Sequence, residues 1–408
     1  MRVVSIEELT GHLAALPGPE PRAVVSGNFA APLPLLDSLG AALERCRVFA
    51  LNAQDDWPSF PGFVNETPFV GPGMRSNPAL DYLPMRLSLV PRLFASIRPP
   101  DAVLVHTSVP HSGRVSLGIE VNILPAAIEQ VRKRGGLVVA QLNPNMPYTF
   151  GDGEFPTEWI DLAVEVDELL PSPEDRSATE SEVLIGTQVA RFAGDGATLQ
   201  LGIGKIPDVA AHQLRSRHRL RIWSELISDG VLALEESGSL DQGRHVRASF
   251  LFGSPALYAW ADRNPRLRMT RTENINDPSR IAANPAMLSI NMAMQVDLFD
   301  QVNATFIGPR VYSGLGGQPD FVSGALHSRG GHAVVALHAW HDRTDSSTVV
   351  PSLTTPATSF QHSAIVSEHG CAEIFGRSLH EQATLIIDGV ADPRARDELR
   401  RGASSARP

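Results

Sequence analysis

The sequence predicts an α/β protein with mostly parallel sheets, organised as two halves. Three observations carry this. Short apolar runs alternate with amphipathic stretches along most of the chain, the pattern of repeated strand–helix units. The run Gly136-Leu137-Val138-Val139-Ala140 is apolar throughout, as a strand covered on both faces must be. The stretch Pro171-Ser172-Pro173-Glu174-Asp175-Arg176-Ser177 gathers prolines, charges and serines with no apolar period, and reads as a linker. The expected division is an N-terminal α/β domain over 1–176 and a C-terminal one over 177–408, sizes at which each half can bury its own core.

The elements follow in order. Ser5 and Glu8 form a capping box that opens a helix through Leu16. Strands are expected at 23–26, 47–51, 101–106 and 136–140, with helices at 34–46 and 124–134. Residues 54–80 read as loop, carrying Trp57, Phe60, Phe63 and Phe69. Thr179 and Glu182 form a second capping box, and the cycle restarts with a strand at 198–201, a helix at 207–217, a strand at 220–223 and a helix at 229–236. Further strands are expected at 250–252, 287–290, 333–337, 348–350 and 364–366. Helices at 379–387 and 393–401 close the chain before a frayed tail over 402–408.

Composition narrows the function. The 45 acidic against 35 basic side chains give a formal charge of −10, which argues against nucleic acid or an anionic membrane as partner. No stretch reaches the ~18 apolar residues of a membrane span, and no apolar leader precedes the first acids. Cys46 and Cys371 are too few for a disulfide scaffold and fit a reducing, cytoplasmic setting. The 13 histidines show no metal-ligand spacing, and no Gly-x-Ser-x-Gly elbow occurs.

Four segments could carry chemistry. Gly202-Ile203-Gly204-Lys205-Ile206-Pro207 follows a strand and enters a helix, so its backbone N–H groups, with Lys205, could cradle an anion; a tight turn is equally open. It fits neither the Walker A nor the dinucleotide fingerprint. In Ser224-Glu225-Leu226-Ile227-Ser228-Asp229-Gly230, Glu225 stands at the carboxyl end of an apolar strand, where α/β proteins bind ligands; a structural carboxylate is the alternative. Ser313-Gly314-Leu315-Gly316-Gly317 is glycine-rich between Tyr312 and Phe321, and successive N–H groups there could form an oxyanion hole. Asn291 is a polar residue inside an apolar strand and needs a partner, structural or ligand.

Together and in this order, the segments resemble the acetyl-CoA hydrolase/CoA-transferase family, particularly its 4-hydroxybutyrate and acetate CoA-transferase branch. The likeness runs from about Gly62 to Leu399. It rests on the Gly-x-Gly-x-x-Pro loop at Gly202–Pro207, the Ser-Glu…Asp-Gly segment at Ser224–Gly230, Ile290-Asn291 with Val296-Asp297-Leu298, and Ser313–Phe321. Val366-Ser367-Glu368-His369-Gly370, Phe69-Val70-Gly71-Pro72 and Asn143-Pro144-Asn145-Met146-Pro147 add to it. Within the first-half segment ending Ser116-Leu117-Gly118, His106, Val109 and His111 depart from the family pattern.

The resemblance implies two similar open, mostly parallel α/β domains and a glutamate nucleophile, Glu225, in the second. It implies a ping-pong transfer of CoA between an acyl-CoA and a small carboxylate through a glutamyl-CoA thioester. Asn291 and the Gly316 and Gly317 backbone would stabilise the oxyanions, and Gly202, Gly204, Lys205, Pro207 and Gly314 would hold CoA. Coenzyme A enters as substrate, with no permanently bound cofactor and no metal; a homo-oligomer is suggested. Hydrolysis through the same glutamate and a catalytically silent acyl-CoA-binding protein are the alternatives.

Overall fold

The computed structural model describes residues 1–174, 176–355, 357–359 and 361–405. The chain forms two compact units. The first comprises Met1–Pro173, His245–Ile275 and Val311–Gly316, and the second Glu174–Arg244, Asn276–Arg310 and Gly317–Pro408. The first break falls in the proline-rich stretch, between Pro173 and Glu174. The expected single cut does not describe the rest, because two later segments join the first unit. The reason is backbone pairing: Val121 and Asn122 N–H bond the Ser249 carbonyl, Thr272 N–H bonds Asn122, and Phe69 bridges to Gly314. No local sequence signal marks such pairings.

The first unit is built on an eight-stranded sheet. Its strands are β1 (Arg2–Val3), β2 (Arg22–Val25), β3 (Cys46–Phe49), β4 (Phe63–Thr67), β5 (Leu80–Tyr82), β6 (Ala102–Ser108), β7 (Leu137–Asn143) and β8 (Leu162–Glu165). All pairs are parallel, in the spatial order β1-β8-β7-β6-β2-β3-β4-β5. β6 is buried along its whole length, and β7, which holds the apolar run 137–140, along all but its first residue, the two-sided cover expected of that run. β4 lies where the sequence suggested only loop. Its Phe63-Val64-Asn65-Glu66-Thr67 carries polar residues inward: Glu66 is buried against Arg22 and Arg47, and Asn65 accepts from the Trp57 indole at 3.0 Å.

The second unit carries β9 (Thr198–Gln200), β10 (Arg221–Ile222), β11 (Met287–Met292), β12 (His332–Ala336), β13 (Ala364–Ser367) and β14 (Gly370–Glu373). Their order is β10-β9-β11-β12-β13-β14, parallel except for the last pair. The fold is therefore mixed α/β with large parallel sheets, as the alternating pattern predicted. The capping box at Thr179 forms in full, whereas at Ser5 only one half of the box forms, the Ser5 hydroxyl accepting from Glu8 N–H. The last helix runs Arg396–Ser405, so 402–405 are helical, while 406–408 lie outside the described residues. Among the described residues no helix is long and apolar enough to cross a membrane.

Candidate active site

In the second unit, β9 leads to β10 on one side and the later strands extend the other way. The strand order thus reverses between β9 and β11, the position where open α/β sheets form a crevice outside the carboxyl ends. Gly202–Gly204 leave β9 there. Gly204 takes φ 118, which only glycine tolerates, and its Cβ position is open. It caps the helix Lys205–Gln213 with no side-chain bond. This helix begins two residues before the expected start, so Pro207 sits inside its first turn. The first-turn N–H groups have no intrahelical partner, so a proline costs nothing there.

Glu225 follows β10 and is held from both sides. The Ser224 hydroxyl accepts from Leu201 N–H at 3.1 Å and donates to Leu201 carbonyl at 3.2 Å, and Leu226 bridges to Leu201. Ser224 and Leu226 are buried and Glu225 is half-buried. Its Oε2 accepts from Asn276 Nδ2 at 2.7 Å. Burial pushes the Glu225 carboxyl up to about 7, the Asn276 bond opposes that rise, and the negative charge of Asp320 adds to it. Asn276 is fully buried, and its Oδ1 has no hydrogen-bond partner.

In the first unit, Val70 N–H bonds the Ser313 carbonyl at 3.1 Å and Leu87 N–H bonds Gly316 at 3.0 Å. A Cβ on Gly314 would lie 2.2 Å from the Pro68 carbonyl oxygen, so a side chain is excluded by neighbouring backbone. Gly316 has φ 54 against the Phe69 ring. Arg75 lies 3.8 Å above the Tyr312 ring and bonds its carbonyl. Phe69-Val70 is thus the splint of this loop. Gly317, in the second unit, has an ordinary φ of −89 and precedes the helix Gln318–His327. Its reason for being glycine is different: a Cβ would stand 1.8 Å from Glu225 Oε2 and 2.4 Å from Asn276 Nδ2.

The structure therefore brings Glu225, Gly317 and Asn276 together. Asn291 is half-buried and donates one amide N–H to Ser289 Oγ at 2.8 Å, and Ser289 donates to Gln200 at 2.7 Å. The carboxamide on Glu225 is that of Asn276, which sequence reasoning missed. Asn276 stands in Asn274-Ile275-Asn276-Asp277-Pro278, which reads as a turn before a helix, and its only local signal is structural. Glu368, of the Val-Ser-Glu-His-Gly segment, accepts from Ala339 N–H at 2.9 Å.

An open parallel sheet, a glycine loop after its first strand and a half-buried carboxylate against a bare glycine define an α/β protein with a candidate carboxylate nucleophile. The comparisons give this class its identity. The family model for the acetyl-CoA hydrolase/transferase C-terminal domain matches residues 253–403. The 4-hydroxybutyrate coenzyme A transferase of Clostridium kluyveri is 35% identical over 78% of this chain and 76% of its own. The succinyl-CoA:acetate/propanoyl-CoA:succinate CoA transferase of Fasciola hepatica is 32% identical over 79% and 70%. An acetyl-CoA hydrolase of Neurospora crassa is 28% identical over 66% of this chain and 52% of its own. Among solved structures, the 4-hydroxybutyrate CoA-transferase of Porphyromonas gingivalis superposes with a TM-score of 0.83 at 28% identity, over 99% of this chain and 97% of its own. RipA from Yersinia pestis gives 0.90 at 24% identity over the same shares, a likeness of fold. The chain belongs to the acetyl-CoA hydrolase/CoA-transferase family. It is an enzyme acting on acyl-CoA, by CoA transfer or hydrolysis, with coenzyme A as part of its substrate.

Proposed function

We propose that the enzyme transfers CoA from an acyl-CoA to a small carboxylate through a covalent intermediate on Glu225. The observation that carries this is the Glu225 carboxylate lying on the Asn276 amide beside Gly317, where no side chain fits. An ionised carboxylate is a nucleophile without a general base, and a carboxyl near 7 is more basic than usual while still partly ionised at neutral pH.

Glu225 attacks the thioester carbonyl, and the tetrahedral intermediate expels CoA thiolate to leave an acyl-glutamyl anhydride. The thiolate attacks the glutamyl carbonyl of that anhydride. The C–O bond breaks, the first carboxylate departs, and a glutamyl-CoA thioester remains. A second carboxylate attacks this thioester and the same steps run in reverse, releasing the new acyl-CoA and free Glu225. No net proton is consumed. The tetrahedral oxyanions would be met by the Gly316 and Gly317 backbone, donors that typically contribute ~3–4 kcal/mol each. Asn276 would position Glu225. Gly202, Gly204, Lys205 and Pro207 would hold part of CoA, whose remote binding energy is then available at the reacting carbonyl. Transfer is favoured over hydrolysis because the more similar relatives carry transferase names.

Intact-protein mass measurement after incubation with acetyl-CoA and other acyl-CoAs tests this. A CoA adduct is expected on the parent and absent from Glu225→Ala, and a carboxylate acceptor should discharge it with formation of new acyl-CoA. Absence of any adduct, with CoA binding retained, would refute the covalent reading.

A further inference from the structure

Two segments of the second unit run side by side at the carboxyl end of its sheet. One is the glycine loop Gly202–Pro207, between Leu201 and Asp208, and the other carries Glu225, between Ser224 and Ser228. They leave the neighbouring parallel strands β9 and β10. Their near ends are tied by the two bonds of the Ser224 hydroxyl to Leu201 and by the Leu201–Leu226 bridge. Their far ends are tied as well, by Asp208 and Ser228.

The Ser228 hydroxyl donates to Asp208 Oδ1 at 2.5 Å. Ser228 is buried and Asp208 half-buried. Asp208 stands in the first turn of the helix Lys205–Gln213, where its N–H bonds the Gly204 carbonyl at 3.5 Å. Ser228 is the N-cap of the helix Asp229–Glu236, with an extended backbone, and its carbonyl takes the Val231 N–H at 3.0 Å. The glycine loop and the Glu225 segment thus end on two helix starts that are joined to each other.

Local stabilisation is given up to make this tie. A serine at an N-cap ordinarily accepts from an N–H of its own first turn. The Ser228 side chain makes no such bond. Burial raises the Asp208 carboxyl, an effect that the Ser228 hydroxyl, Lys205 and the Gly230 N–H oppose and Asp229 adds to. The Asp208 carboxylate therefore stands in for the missing cap from a different helix. Gly230 is bare where that carboxylate comes in: a Cβ there would stand 3.0 Å from both Asp208 Oδ1 and Ala211 Cβ.

We propose that Asp208 is a positioning residue, which through Ser228 fixes the Glu225 segment against the glycine loop. The inference rests on the reading of Glu225 as nucleophile given above. Only Glu225, Leu226 and Ile227 lie between the two ties. A segment so short and anchored at both ends cannot turn about either anchor, so the Glu225 side chain leaves the backbone in one direction, toward the Asn276 amide at 2.7 Å. A misplacement of about 1 Å at a reacting group can cost about a hundredfold in rate. Asp208 is a poor contact for CoA itself, because a carboxylate beside Lys205 weakens the hold on a phosphate. Its loss is therefore expected in kcat and not in KM.

The test measures the single-turnover rate constant for CoA adduct formation at saturating acetyl-CoA, together with KM, in the parent, Asp208→Ala, Asp208→Asn, Ser228→Ala and the variant carrying both alanines. Such a rate constant does not depend on how much of the protein is folded, so a merely structural role would not move it. Asp208→Ala is expected to form the adduct about ten- to a hundredfold more slowly, with KM unchanged or lower. Ser228→Ala should be slower than the parent in the same direction. Asp208→Asn keeps an acceptor oxygen for the Ser228 hydroxyl and should recover most of the loss. The variant with both alanines should be no slower than Asp208→Ala, since the two changes remove one tie. A parental rate in Asp208→Ala, an Asp208→Asn as slow as it, or a loss carried entirely by KM overturns the inference. Each of these leaves the adduct on Glu225 in the parent, whereas a parent that forms no adduct with any acyl-CoA overturns the catalytic reading and this inference with it.

Discussion

Replacing Asn276 with alanine should make Glu225 harder to ionise, and the size of the effect follows from the site. The Asn276 amide bonds Glu225 Oε2 at 2.7 Å and is the contact that opposes the rise caused by burial. A hydrogen bond to a charged group is worth ~1.5–3 kcal/mol, or roughly one to two pKa units. Starting from about 7, the carboxyl would move upward by that amount. At neutral pH the ionised fraction would drop from about half to between ~10% and ~1%, lowering kcat/KM roughly five- to fiftyfold. The sign is definite: the carboxylate is the reactive form, so the acid limb of the pH–rate profile moves to higher pH and activity recovers at the alkaline plateau. The assay is kcat/KM against pH for parent and variant with one acyl-CoA and one acceptor. An unshifted limb with a lowered plateau would refute the reasoning, because Asn276 would then act on the transition state and not on the ionisation of Glu225.

Asp320→Asn removes the negative charge that raises Glu225, so the acid limb should move to lower pH; an upward shift in the same profile would contradict the assignment. Gly317→Ala should retain the fold, since φ −89 suits any residue, yet lose about a hundredfold or more in kcat/KM, because its Cβ must displace the Glu225 carboxylate; near-parental activity would show the site tolerates that shift. Glu120 has its folded-state pKa raised from 4.5 to about 7, so folding favours its protonated form. Stability from this group is present below 4.5 and lost as pH rises through about 7, by about 3 kcal/mol in all. Denaturant unfolding at acid and mildly alkaline pH should therefore show a smaller pH-linked loss in Glu120→Gln than in the parent, and equal losses would contradict the burial argument.

Much of the fold was legible because it is written in local pattern. The alternation of apolar runs and amphipathic stretches gave the strand and helix order, and Asp229–Glu236 forms the expected helix with the expected bounds. β4 was missed because Asn65 and Glu66 break the apolar run, and only Trp57, Arg22 and Arg47 from other elements make those residues suitable for burial. The helix expected to extend from Pro34 to Cys46 ends at Ala42, and Cys46 instead opens β3. Helical spacing alone did not mark the point where pairing with β2 takes over.

The sequence by itself determined the class of architecture, the family motifs and the glutamate placed at a strand end, because these depend on residue order over short spans. Only the tertiary structure decided which amide meets Glu225, since Asn276 lies 51 residues away and its local sequence reads as a turn. It also decided that residues 245–275 and 311–316 belong with the first unit, through backbone pairing that side-chain pattern does not encode. Likewise it decided the acidity of Glu225 and Glu120. Their raised pKa values come from removal of water by residues distant in sequence, and desolvation is a property of the folded surroundings rather than of the neighbouring chain.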